Sequence, residues 1–271
     1  MALPLIVQDD QTLGFHWSLP DGTPATLAQV IGLPDAEANR WLPTHLEALD
    51  DVLIAVATRF ADVMGGGREL PADERDEARA AFRTVDRLSA EYATAWRVSG
   101  LRTDLRAGQI IGTGVLMSIR LRVALGEMGP APFDGELDEP GPGVVGGHAG
   151  MHEVDAAMPW LGARWLVVTD DSRRLPATLS MLLHDSSGVD KDATLKEHRA
   201  ALRAVTGAVD RVGVEPIEAS GAVDWLLYDW LMAHRDGEDS GAVELRRGQE
   251  RDAAMIVDAA AASVMLRAAF P

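Results

Sequence analysis

Seven histidines and no cysteine set the terms for any chemistry in this chain. Without thiols, disulfides and thiolate metal sites are excluded, and any metal must be held by imidazole and carboxylate. Three histidines fall between 141 and 185: His148 and His152, spaced i,i+4, and His184, followed directly by Asp185. On a helix, i and i+4 share one face, so both imidazoles could reach one ion. A catalytic divalent ion needs a third protein ligand and an open position, and His45, on the first long helical pattern, is placed to supply the ligand. Leu182-Leu183-His184-Asp185 ends an apolar run in two adjacent metal-ligand types. The candidate metal-site residues are therefore His45, His148, His152, His184 and Asp185; the cofactor is unknown, with a divalent metal as the candidate.

The order of one early histidine and a later HxxxH pair, His45 with His148 and His152, resembles the metal-binding bundle family named for DinB, which includes thiol-dependent transferases. That resemblance implies a helical bundle with a three-histidine metal site. Leu182–Asp185 resembles the HD phosphohydrolase signature. It implies an earlier histidine ligand, His148 or His152, and a later aspartate, Asp210 or Asp224. Asp236, Ser240 and Glu244 are spaced like the second metal motif of class I terpene synthases, with Asp50-Asp51 in the place of the first. The aromatic content of 5% is poor for a pocket that stabilises carbocations.

Other features read as structure. Glu197-His198 puts a histidine in an apolar helical seam, where a hydrogen-bonded core histidine is expected. Trp225, Tyr228 and Trp230 read as core aromatics. No Ser-His-Asp order, phosphate-binding glycine loop or dinucleotide fingerprint is present.

The whole-chain balance narrows the partners. Of 271 residues, 42 are acidic and 25 basic, giving a net charge of −17 and a pI near 4.7. That opposes nucleic-acid backbone and anionic membrane surfaces, and favours a solvated surface or a basic protein partner. With 47% hydrophobic residues the chain can bury a proper core. The N-terminus lacks the basic n-region of a signal peptide, and no run reads as a membrane span. A cytoplasmic location is the expectation.

The elements that must position these groups are mainly helical. Residues 1–34 read as short strands, with Pro20-Asp-Gly22 as a turn, forming a hairpin or lid. Asp35 is placed to cap a helix entering at Ala36. Leu42, Leu46, Leu49, Leu53, Val56, Phe60 and Val63 then form one seam. Ala78, Phe82, Val85, Leu88, Tyr92 and Trp96 form a second. A third helix is expected from Asp104 to Glu127, where Gly108, Gly112 and Gly114 serve close helix approach or, alternatively, a substrate channel. Short connections make these an antiparallel three-helix bundle over 35–128. Gly and Pro punctuate 129–151 as a connector. Arg164–Thr169 reads as a buried strand or a short buried helix, which periodicity does not separate. Helices are expected over Thr194–Val212, from a Ser220 cap to Ala233, and over Ala242–Ala268, making 152–271 a C-terminal helical part. No internal repeat is read.

The fold expected is mainly α: a helical bundle with a small N-terminal β hairpin and a short mixed middle segment. The leading functional expectation is partner binding or oligomerisation, a homodimer included, supported by small-residue helix faces and by the lack of a complete catalytic set. The alternative is a metal-dependent enzyme centred on His148, His152, His184 and Asp185.

Overall fold

A computed structural model of the chain describes residues 5–9, 14–33, 38–66, 69–102, 104–128, 148–152, 164–168, 174–184, 189–207, 216–234 and 243–268. The fold is mainly α. It starts with a three-stranded antiparallel meander, β1 (Leu5–Asp9), β2 (Gly14–Ser18) and β3 (Pro24–Ala25). A short helix follows, α1 (Leu27–Ile31), which Thr26 and Gln29 begin with a reciprocal capping box. Three long helices complete the unit: α2 (Ala38–Met64), α3 (Arg75–Ser99) and α4 (Leu105–Leu125). Every seam residue expected on α2 is buried, and so are Ala78, Phe82, Val85, Leu88 and Tyr92 on α3. Asp104 caps α4, its carboxylate accepting from the Ala107 N–H at 2.7 Å.

The second half then repeats the first. A meander of β4 (His148–His152), β5 (Arg164–Val168) and β6 (Arg174–Ala177) leads into a short helix, α5 (Leu179–His184). The long helices α6 (Lys191–Thr206), α7 (Pro216–Ala233) and α8 (Glu250–Ala268) follow. The same elements touch in each half: α1 packs on α2 and α3, α3 on α4 and α2 on α4, as α5 packs on α6 and α7, α7 on α8 and α6 on α8.

This corrects the expectation of no internal repeat, and the correspondence reaches single residues. Trp17 pairs with Ala25 across β2 and β3, and Trp165 pairs with Ala177 across β5 and β6. Pro24-Ala-Thr-Leu27 recurs as Pro176-Ala-Thr-Leu179 at the same strand-to-helix corner. The Thr26 hydroxyl accepts from the Gln29 N–H, and the Thr178 hydroxyl from the Met181 N–H.

The halves meet through their last two helices. α4 lies against α8 and α7, and α3 against α8, around one continuous apolar core. Where α4 crosses α8, a Cβ on Gly108 would stand 2.6 Å from the Ala253 backbone, so glycine is what allows this approach. Gly112 and Gly114 likewise face packed side chains, Leu231 and Val85. The glycines of α4 therefore serve helix contact rather than a channel. The small residues Ala253 and Ala259–Ala262 on α8 are buried.

Several boundaries differ from expectation for local reasons. Residues 164–168 are strand, because β4 and β6 pair on either side of them. α7 starts at Pro216, a residue suited to a first helical turn, so Ser220 lies inside the helix and is not its cap. α8 starts at Glu250 rather than Ala242. Val243 and Leu245 are buried before it, and the Val243 N–H donates to the Thr113 hydroxyl on α4. α6 ends at Thr206, and the expected extension to Val212 falls largely outside the described residues, as does the Asp35 cap. Contrary to the reading of no membrane-length run, α4 is long and apolar enough to cross a membrane, and it lies mostly buried in the core.

Candidate functional site

Each half holds its sheet to its helices with the same three-part relay. The Trp17 indole N–H donates to His45 Nδ1 at 3.0 Å, and His45 Nε2 donates to the Leu88 carbonyl at 2.8 Å. In the second half Trp165 donates to His198 Nδ1 at 3.0 Å, and His198 Nε2 to the Leu226 carbonyl at 2.8 Å. Indole nitrogen only donates, so it fixes each imidazole as the Nε2–H tautomer. Both histidines are fully buried. Desolvation, partly offset by the carbonyl bond, pulls each down from 6.5 to about 4, so both are neutral. His198 is thus the hydrogen-bonded core histidine its seam position implied. His45 has both ring nitrogens committed within the fold, which leaves no free lone pair for an ion.

The other expected metal residues lie on separate elements or outside the described residues. His148 and His152 lie on β4, a strand and not the helix the HxxxH reading requires. Four residues along a strand separate backbone positions by about 13 Å. His184 is the exposed last residue of α5, while Asp185 and Asp210 lie outside the described residues. Asp224 is buried in ion pairs described below. Asp50 and Asp51 lie on α2, and Glu244 is exposed, with Asp236 and Ser240 outside the described residues. Among the described residues no three His, Asp or Glu side chains gather as a metal site.

The buried relay predicts a pH signature. An unfolded His45 takes up a proton below about pH 6.5, whereas the folded one resists until about 4. Its stabilising contribution is full above 6.5 and lost as pH falls toward 4. Asp229 acts in the opposite sense. Burial pushes it up to about 7, against the lowering effect of the Leu179 N–H bonds at 2.9 and 3.1 Å, and its contribution is lost as pH rises through 7. A comparison with His45→Gln isolates the histidine. The stability gap between wild type and variant in urea melts is expected to shrink by up to about 3 kcal/mol from neutral pH to pH ~4. A gap that stays constant over that range would contradict the buried neutral imidazole.

Sequence reasoning missed the cluster where the halves meet. Asp86 on α3 accepts from the Ser118 hydroxyl on α4 at 2.7 Å, and Asp224 on α7 accepts from the Ser263 hydroxyl on α8. Each half supplies an arginine one turn beyond its serine and sends it across. Arg122 donates to Asp224 at 2.8 Å, and Arg267 to Asp86 at 2.7 Å. This reciprocity, in which i meets j′ and j meets i′, marks a pseudo-twofold axis. Arg267 breaks the symmetry by also donating to Asp224 at 2.8 Å. Burial alone would raise the Asp224 carboxyl, but the Arg122 and Arg267 charges and the Ser263 hydroxyl hold it below its usual range. The available signal was Ser-x3-Arg on both α4 and α8, with Val-Asp-x-Leu on each preceding helix, at Val85–Leu88 and Val223–Leu226.

A cleft of about 810 Å³ opens over one side of this cluster. Its long wall is the face of α3 carrying Phe82, Arg83, Arg87 and Ala90, closed by Ala28 of α1 and by Val264 and Arg267 of α8. Both halves therefore contribute to it. Four arginines line it, Arg83, Arg87, Arg122 and Arg267, against three acids, Asp86, Glu91 and Glu127. Asp86 and Asp224 balance Arg122 and Arg267, and Glu91 balances Arg87, so the cation the cleft offers is Arg83, in a chain of net charge −17. Arg87 is bonded to Glu91 at 2.8 Å and to the Phe15 carbonyl. Arg83 is exposed and makes no ion pair among the described residues.

Counting from Asp224 along α7 as from Asp86 along α3, Gly221 stands for Arg83, Trp225 for Arg87 and Tyr228 for Ala90. Trp225 and Tyr228 are half-buried and pack edge to face at 5.6 Å. The second half thus carries rings and no arginine on the corresponding face. No family model matches the chain, and no curated protein or solved structure matches it either.

Proposed function

We propose that this protein is a small-molecule-binding protein whose ligand is an organic anion with an apolar body, seated in the cleft along α3. The observation that carries the reading is a cleft of ligand size in which Arg83, beside Phe82, has no ion pair among the described residues, on an acidic protein. Its volume is within the range of small-molecule sites, and seams between structural units are where such sites concentrate. Phe82, Ala28, Ala90 and Val264 offer apolar contact, while Arg83 and Arg87 offer charge-assisted hydrogen bonds to a carboxylate or phosphate. Partner binding or self-association was the leading expectation. Its support came from small-residue helix faces, and α4 and α8 use those faces on each other.

The test is a thermal-shift screen of aryl and alkyl carboxylates and phosphate monoesters against wild type and Arg83→Glu. Members of the panel are expected to raise the melting temperature of wild type, less so at high salt. Arg83→Glu is expected to weaken binding by about 10-fold to 100-fold, the worth of one charged hydrogen bond. If no member binds, or if binding ignores Arg83→Glu, the reading fails.

A further inference from the structure

Beside the cluster on the pseudo-twofold axis, beneath the cleft, is a second, smaller space of about 10 Å³. Ser89, Ser118, Arg122, Asp224 and Ser263 line it with polar atoms. Two of the lining atoms, Ser89 Oγ and Arg122 Nε, are buried and have no hydrogen-bond partner among the described residues. Their residues are 2% and 5% exposed, so bulk water does not satisfy them. Leaving a buried donor or acceptor unpaired costs more than an average hydrogen bond gains. By the register that matches Asp86 to Asp224, Ser89 corresponds to Leu227, a fully buried apolar residue. The first half has thus placed a hydroxyl where the second has a hydrocarbon, and that hydroxyl and Arg122 line the same small space.

We infer that this space is a built site for a single water molecule, bridging Arg122 Nε on α4 and Ser89 Oγ on α3. Arg122 Nε–H donates to the water oxygen. One water proton goes to Ser89 Oγ and the other faces the oxygens of Ser118, Asp224 and Ser263. The volume holds about one water, and the polar lining gives it the two to four partners a buried water requires. Charge selects a neutral guest over a halide. Asp86 and Asp224 already balance Arg122 and Arg267, and an added anion would meet both carboxylates in a low-dielectric interior. The site is one-sided within the duplicated fold, because Arg267 is nearer the surface, its side chain 17% exposed. The water thereby ties α3 to α4 beneath the cleft whether or not a ligand is bound.

The test uses the full, ligand-free chain. A high-resolution crystal structure from bromide-containing solution is expected to show one peak within hydrogen-bond distance of Ser89 Oγ and Arg122 Nε, with no anomalous signal. A dry cavity or a bromide anomalous peak overturns the inference. Thermal melts of Ser89→Ala give an independent reading. Removing one partner of a bound water lowers the melting temperature. In a dry cavity the same change deletes an unsatisfied buried hydroxyl, and an unchanged or raised melting temperature would count against the water.

Discussion

Arg267→Met is expected to cost about 3–5 kcal/mol of unfolding free energy in urea melts, a loss far above that of a surface ion pair. Arg267 joins both aspartates of the central cluster, donating to Asp86 at 2.7 Å and to Asp224 at 2.8 Å. Methionine keeps the hydrocarbon length and packing but removes the charge, so two carboxylates lose a partner in a mostly buried setting. Asp224 retains Arg122 and Ser263, and Asp86 retains Ser118. Asp86 suffers most, because the arginine that crosses the axis to it is gone. Adding Asp86→Leu in the same chain is expected to recover part of the loss, because breaking a buried pair is worse than replacing it. A cost of about 1 kcal/mol or less for Arg267→Met would place the cluster with ordinary solvated pairs. It would also remove the argument that the two halves are locked electrostatically.

Gly108→Val should be comparably damaging, at about 3 kcal/mol, for a steric reason. A Cβ there would sit 2.6 Å from both the Cα and the Cβ of Ala253, and 2.8 Å from Leu245 Cδ1. Because one of these clashes is with the main chain of α8, no side-chain rotation relieves it. α4 and α8 must move apart, which loosens the seam between the halves. Gly221→Ala is the matched control. Gly221 is inside α7 and a Cβ there meets nothing within 4 Å. Only helix propensity changes, and stability is expected to rise by about 0.5–1 kcal/mol. Equal effects of the two substitutions, measured by denaturant midpoint, would mean the close crossing of α4 and α8 does not form.

The helices of the first half were legible because each element carries its own signal. The seam from Leu42 to Val63, the Asp104 cap and the glycines of α4 each follow from local pattern. The duplication was not legible in the same way. Beyond Pro-Ala-Thr-Leu, the matches are short, such as Val-Asp-x-Leu and Ser-x3-Arg, or single residues such as Trp17 and Trp165, or His45 and His198. The spacing between them differs, so no fixed period connects them: His45 follows Trp17 by 28 positions, and His198 follows Trp165 by 33. The cluster was hidden for a related reason. Asp86, Arg122, Asp224 and Arg267 sit on four helices, and each alone looks like a solvated polar residue on an amphipathic face. His148 and His152 are close in sequence, but Ala149↔Val167 pairing makes their segment a strand, and His45 is consumed by Trp17 and Leu88. The cleft needed the packing of α1, α3 and α8, which no single segment encodes.

The most direct test of the proposed anion site is the stoichiometry of binding by the whole chain, measured by calorimetric titration with the strongest binder from the carboxylate and phosphate panel. A duplicated fold offers two equivalent faces. The first carries Arg83 and Arg87, and the second carries Gly221 and Trp225 in their places. One ligand per chain, lost on Arg83→Glu, is the predicted result. Two equivalent sites per chain, or a single site that persists in Arg83→Glu, would contradict it.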